Sequence, residues 1–376
     1  MMHANMTRIC YVTPSLSVGG TERQLTHLLR GLAGDHELTV FCTRQEGALA
    51  GEARRCGARV DVLAVRSGWD FTLRRTLRRI FLAHRPDVLH TFLFGFDLFA
   101  NLAARDARVP VVISSRRELA TWQKRRHLFM QKRANRFVHA VVANSQAVAE
   151  YAIEREGADS ALFRVIPNGV NADAFVSHAD PHQLRVRYRI PFHTHVVGIV
   201  ANFSPVKDHA LFVDAAAELV RRRADVHFLM VGSGPLVTNI ERLIASRGLT
   251  ACFTRFATLA EIADLYALMD VSVLCSKAEG FPNVVIESMA AGRPVVAAAV
   301  GGIRELVRDG ETGRLVASRE PRAFADAIEW VLDHPEESCV MAERASRFVR
   351  TELSMDTMVD SYRALYAELL AQHRGA

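Results

Sequence analysis

The chain has 376 residues, 49% of them hydrophobic and 23% charged, with a formal net charge of +6. That length exceeds one ordinary core, so two domains of about 150–190 residues are expected, and the composition argues against extensive disorder. No apolar run approaches the roughly 20 residues that span a bilayer, and six scattered cysteines without a C-x-x-C pair point to reduced thiols in a cytoplasmic protein.

The opening "RICYVTPS" reads as a first strand and not as a secretory signal, because its apolar run is short and ends at proline. Helical "TERQLTHLLRGLAG", strand-like "ELTVFCT", helical "GALAGEARRCG" and strand-like "RVDVLAV" follow. Then come helical "FTLRRTLRRIFLAHR", strand "PDVLHTF", helix "FDLFANLAARDA", strand "VPVVISS" and a long basic helix. Strand "AVVANS", helix "QAVAEYAIEREG" and strand "FRVIPNG" complete the first series. Strands apolar on both faces, alternating with helices, predict a parallel sheet covered on each side. The pattern restarts at "HTHVVGIVANF", after a polar, turn-rich loop near 170–193 that marks the domain boundary. A last helix, "SMDTMVDSYRALYAELLAQH", follows the second series. Open sheets of this kind bind ligands at the carboxyl ends of their strands.

One stretch of the second series concentrates polar chemistry. In "SKAEGFPNVVIESMAAGRPVVAA", Ser276 to Ala298, Glu279 and Glu287 are separated by seven residues. Gly280 allows close backbone approach and Pro282 suits the first turn of a helix. That helix runs from Asn283 to Ala291 and stops at Gly292, with Pro294 shortly after. Its wheel puts Glu287 on a small-residue face with Asn283, Ala290 and Ala291, opposite Val285 and Met289. The amides from Gly280 through Phe281, Asn283 and Val284, with the helix dipole, form an anion site. A carboxylate one turn inside suits a nucleotide, with phosphate on the amides and ribose hydroxyls on the acid. An isolated pair of glutamates at this spacing more often caps a helix or meets an arginine.

The surrounding motifs decide between these readings. "SKAEGFPNVVIESMAAGRPVVAAAVGGIRELVRDGETGRLV" resembles the donor-binding segment of retaining family-four glycosyltransferases, and "PSLSVGGTERQLTHLL" resembles their first glycine loop and helix. "RPDVLHTF", "VVANSQAV", "VIPNGVNADAF", "VGIVANFSPVKDHALFVDA", "FLMVGSGP" and "SMDTMVDSYRALY" match further segments in order. The resemblance implies an α/β GT-B fold, two Rossmann-like doubly wound parallel-sheet domains facing a cleft. It implies an acceptor-side domain over 1–185, a nucleotide-sugar domain over 186–355, and a helix over 356–376 crossing back. It assigns ribose hydroxyls to Glu287 and donor-sugar hydroxyls to Glu279, helped by the turn from Gly280 through Pro282 to Val284. Gly20 would approach the diphosphate from the first domain, and Lys207 would supply a cation to it. Two departures stand out. Asn202 occupies the place of a usual arginine, leaving Arg255 or Arg116 to replace that charge. Ser115 or Arg116 stands where many members carry a histidine near the reacting carbon. His90 also ends a strand at the expected site, where a packed histidine is at least as natural.

The resemblance further implies same-face transfer, in which the leaving phosphate accepts the incoming hydroxyl's proton, with Glu279, Lys207 and Arg116 as the catalytic set. No Asp-x-Asp or His/Cys spacing indicates a metal, and no cofactor is expected. From Arg116 to Arg136, "RRELATWQKRRHLFMQKRANR" holds eight Lys or Arg against one Glu. Trp122 and Phe129 accompany them, so an amphipathic helix over 116–137 would lie on an anionic membrane surface. A domain helix with solvated charges is the plainer reading of that segment. No recognised nucleic-acid module is present. These features predict a nucleotide-sugar donor and a glycan or lipid-linked acceptor in cell-surface polysaccharide synthesis. A sugar-nucleotide epimerase, a phosphorylase or a non-catalytic nucleotide-sugar-binding subunit is the alternative.

Overall fold

The computed structural model describes residues 6–63, 72–92, 97–257 and 262–375. Parts of the expected segments "RVDVLAV", "FTLRRTLRRIFLAHR", "FDLFANLAARDA" and "LAEIADLYALM" lie outside the described residues. The chain divides into two compact units, Met1–Gly169 with Met355–Ala376, and Val170–Ser354.

Among the described residues the first unit carries seven strands: β1 (Thr7–Thr13), β2 (His36–Cys42), β3 (Arg59–Val62), β4 (Val88–Thr91), β5 (Val111–Arg116), β6 (Ala140–Ala143) and β7 (Phe163–Val165). All pairings are parallel, in the order β3-β2-β1-β4-β5-β6-β7. Both faces of β1 are buried, and alternate residues feed different cores, as a two-residue period requires. Ile9 and Tyr11 join a core with the helix Gly20–Leu32 and the final helix Met355–Gly375. Cys10 and Val12 join the opposite core, with the helices Thr72–His84 and Asp97–Asp106.

The second unit repeats the plan with β8 (His195–Val200), β9 (Val226–Val231), β10 (Phe253–Phe256), β11 (Val271–Leu274), β12 (Val295–Ala298) and β13 (Arg314–Val316). These strands are also parallel, in the order β10-β9-β8-β11-β12-β13. Val197 and Ile199 of β8 enter one core, Val196 and Val200 the other. In each unit the strand order reverses once, between β1 and β4 and between β8 and β11. Connections leave in opposite directions there, which opens a crevice at the strands' carboxyl ends.

Two expectations need correction. The boundary falls at Gly169/Val170 instead of 185/186. The polar segment after it is tied into the second unit: Val170 N donates to Leu353 O at 2.9 Å, Phe175 meets Tyr266 edge-on, and Leu184 is buried beside Val196 and Leu265. The basic segment is not one long helix. Arg116 is the last residue of β5, turns follow, and only Arg125–Ala134 is α-helical, with a 3-10 turn over Asn135–Phe137. Arg116, Arg117, Ala120 and Gln123 are all buried, from strand and irregular backbone and not from a helix. Among the described residues no helix is long and apolar enough to cross a membrane, and no cluster of three or more metal-ligating side chains occurs.

Candidate active site

The loops that leave β8 and β11 start side by side at the reversal of the second sheet. The loop after β8, Ala201 to Asp208, is clamped from behind by the glycines that follow β9. Phe203 N donates to Ser233 O at 2.9 Å, and Leu236 N to Phe203 O at 3.1 Å. Gly232, at φ +146°, comes so near that a Cβ there would stand 2.1 Å from Ala201 O, which explains the glycine. From the other side Lys277 N donates to Val206 O at 2.8 Å. Arg319 joins the two loops, donating to Ser276 O at 2.9 Å and to Asp208 Oδ2 at 2.5 Å.

This bracing brings Lys207 and Glu279 together. Lys207 Nζ donates to Glu279 Oε1 at 2.5 Å, and Ser276 Oγ donates to the same oxygen at 2.5 Å. Gly302 N holds the Glu279 carbonyl at 3.2 Å, and the residue is only 9% exposed. His209, next to this pair, stacks on Phe203 with ring centroids 4.0 Å apart. Burial, then the charge of Lys207, pushes His209 down to about 4, so it is neutral near pH 7. The positive charge of this loop therefore belongs to Lys207.

Gly280, Phe281 and Pro282 form a buried turn into the helix Asn283–Ala290. Pro282 is the residue before the helix, with extended φ −73° and ψ 115°, and not part of its first turn. Ser288 and Met289 carbonyls accept from Arg293 N and Gly292 N at 2.9 and 3.0 Å, with Gly292 at φ +66°. These are the two bonds of a Schellman stop. Val285, Ile286 and Met289 enter the core, leaving Asn283, Val284 and Glu287 half-buried on the other side. Glu287 Oε2 accepts from the fully buried Tyr266 hydroxyl at 3.2 Å. Burial and then Glu287 hold that hydroxyl far above its usual pKa, so it remains a donor.

The other expected residues sort differently. Asn202 is exposed and accepts from Ser204 Oγ at 3.2 Å, so it adds no charge. Arg255 is paired with Glu241 at 2.9 Å. Gly20 is exposed and opens the helix Gly20–Leu32. His90 is fully buried, bonded to Tyr366 OH at 2.8 Å and Ser115 Oγ at 2.9 Å, and burial keeps it neutral. It is the packed histidine of the first unit.

Arg116 is a correction. Only 7% exposed, it gives Nε and Nη2 to Glu156 at 2.8 and 3.1 Å, Nη2 to Asn135 Oδ1 at 2.9 Å, and Nη1 to Ser115 O at 3.0 Å. Asp97 lies 3.4 Å away and completes the pair. Every nitrogen is committed inside the unit, so Arg116 has no donor to offer a phosphate. Sequence reasoning also passed over Tyr266, Ser276, Asp208 and Arg319. Tyr266 sits in an apolar helix with no motif around it, and Arg319 lies 40 residues beyond the glutamate turn.

Two family models match the chain: Glycosyltransferase Family 4 over residues 18–174 and Glycosyl transferases group 1 over residues 194–334. A D-inositol 3-phosphate glycosyltransferase of Geodermatophilus obscurus is 34% identical over 248 residues, 63% of this chain and 55% of that protein. An alpha-D-kanosaminyltransferase of Streptomyces kanamyceticus is 34% identical over 189 residues, 50% of this chain and 49% of that protein. The chain thus spans about half the length of the curated relatives it matches. Among solved structures, Anabaena Alr3699/HepE in complex with UDP and glucose covers 96% of this chain and all of its own, with TM-score 0.87 and 23% identity. Sucrose-phosphate synthase from Thermosynechococcus elongatus covers 97% of this chain and all of its own, with TM-score 0.80 and 21% identity. With both sheets built as in those folds and a family model on each unit, the chain belongs to the group 1, family 4 glycosyltransferases of GT-B fold.

Proposed function

We propose that this chain is a retaining glycosyltransferase that moves a sugar from a nucleoside diphosphate sugar to a glycan or lipid-linked acceptor in cell-surface polysaccharide synthesis, of the lipopolysaccharide or exopolysaccharide kind. The observation that carries this reading is the meeting of Lys207 with Glu279 at the carboxyl edge of β8 and β11, beside the N-terminus of the helix Asn283–Ala290. The names of its relatives support it: one is solved with UDP and glucose, and two others are named for lipopolysaccharide synthesis.

On this reading Glu287 takes the ribose hydroxyls and Glu279 the hydroxyls of the transferred sugar. Lys207 and the amides of Gly280, Phe281, Asn283 and Val284 take the diphosphate, with Pro282 setting the turn and Asn202 at its rim. Donor binding exchanges the Lys207–Glu279 pair for Lys207–phosphate and Glu279–sugar contacts, so neither charge is left alone. The bond from sugar C1 to the phosphate oxygen breaks while the acceptor oxygen bonds to C1 on the same face. The acceptor's proton passes to the departing phosphate oxygen. Lys207 and the helix, in place of a metal or cofactor, meet the charge that builds there.

Calorimetry with UDP-, GDP- and ADP-sugars in the presence of a chelator tests this. One class should bind, and Glu287→Ala should weaken it by at least about tenfold, the loss of a charge-assisted hydrogen bond. No heat with any of the three would remove the proposal.

We also propose that the protein is cytoplasmic and sits peripherally on the inner face of the membrane through residues 116–137. Trp122 and Phe129 are 52% and 56% exposed, among the exposed cations Lys124, Arg125, Arg126, Lys132 and Arg133. Each cation near an anionic surface contributes about 1 kcal/mol. Sedimentation with phosphatidylglycerol vesicles should capture the protein, and phosphatidylcholine vesicles should not. Equal capture by both would count against it.

A further inference from the structure

Arg117 follows β5 at the carboxyl edge of the first unit's sheet and is 8% exposed. Its nearest partners are neutral. Nη1 donates to Tyr362 OH at 3.1 Å and Nη2 to Asn168 Oδ1 at 2.6 Å, while the guanidinium stands 5.8 Å from the Phe92 ring centroid. Its buried Nε has no hydrogen-bond partner. Among the described residues no carboxylate reaches this guanidinium, in contrast to Arg116 beside it, which has both Glu156 and Asp97. A buried cation without an anion is costly, and native proteins rarely retain one.

Its surroundings supply donors, and the carboxylates there are engaged by other side chains. Arg117 lines a recess with Gln123, Tyr151 and Arg155. Arg155 is exposed, 6.0 Å from the Tyr151 ring centroid. Two acids line the same recess: Glu118 is exposed and accepts from Trp122 Nε1 at 3.2 Å, and buried Glu156 is taken up by Arg116 and Asn135. His90, close enough to be held neutral by burial and by Arg117, adds no second charge.

We infer that Arg117 is the centre of an anion site on the first unit that takes a phosphate group of a substrate. A guanidinium matches phosphate oxygens in its plane, and the carboxyl edge of an open sheet is where ligands enter. This rests on the glycosyltransferase reading for its source, which is either a phosphate on the acceptor or the donor's diphosphate.

The test is saturable ³¹P line broadening of inorganic phosphate by the full chain, by Arg117→Gln, and by Arg55→Gln as a surface control. Wild type and the control should bind alike, and Arg117→Gln at least tenfold more weakly. Equal binding by all three, or none by wild type, overturns the inference. If the glutamine variant loses cooperative unfolding, Arg117→Lys keeps the charge without the planar fork. It should bind at least threefold more weakly, and unchanged affinity overturns the inference equally. Phosphate binding that persists with saturating UDP assigns the site to the acceptor, and displacement by UDP assigns it to the donor. UDP binding without phosphate binding sinks this inference and leaves the donor reading standing. Phosphate binding without UDP binding does the reverse.

Discussion

Glu156→Ala is expected to destabilise the first unit by about 3–5 kcal/mol, the cost of leaving half of a buried ion pair uncompensated. Glu156 accepts from two nitrogens of Arg116 and, at 2.7 Å, from Asn135 Nδ2, so its removal strands two sets of donors. Asp97 does not make up the loss. It is 3.4 Å from Nη1, and burial raises its pKa against the pull of Arg116, which weakens it as a counter-charge. For a unit of this size the midpoint of thermal unfolding should fall by about 6–20 °C. Differential scanning calorimetry reads this directly, and a shift below about 2 °C would contradict the account of Arg116 as an internal strut. The same experiment separates two ideas about this arginine. A group that contacts substrate would give a folded, inactive variant, whereas a strut gives a protein that melts early.

The distinction between Arg116 and its neighbours marks where the sequence stops being informative. The parallel strands are legible because both faces of β1 and β8 are apolar, as a short strand must be when helices cover it on each side. The helix stop at Gly292 is legible for the same kind of reason, since the left-handed residue and the proline after it are local chemistry. Glu279 and Lys207 are legible as residues of strand-end loops, and their contact follows from the reversal of strand order between β8 and β11. Among eight cations in one segment, nothing local says which is drawn inside. Arg116 is chosen by Glu156, 40 residues later, and Arg117 by Tyr362 on the final helix. The early domain boundary has a like cause. Residues 170–185 are polar enough to read as a linker, but Phe175 and Leu184 are each held by side chains of a distant helix.

Lys207→Met should slow transfer by about 10²–10³ in kcat, the range for removing one preorganised group that meets developing charge. Folding should suffer less, because the Lys207 side chain is 19% exposed and partly screened. Release of nucleoside diphosphate from the sugar nucleotide that binds gives the rate, and a kcat within threefold of wild type would refute the role. Lys207→Arg should recover only part of it, since a planar fork placed at 2.5 Å from Glu279 Oε1 prefers to grip the carboxylate bidentately. A double variant then separates contact with the diphosphate from mere support of Glu279. If Lys207 works only by orienting Glu279, then once Glu279→Gln is present the further change Lys207→Met costs nothing. If Lys207 meets the leaving group itself, the same step still costs most of its original factor, because the charge on the diphosphate is there whether or not residue 279 is an acid.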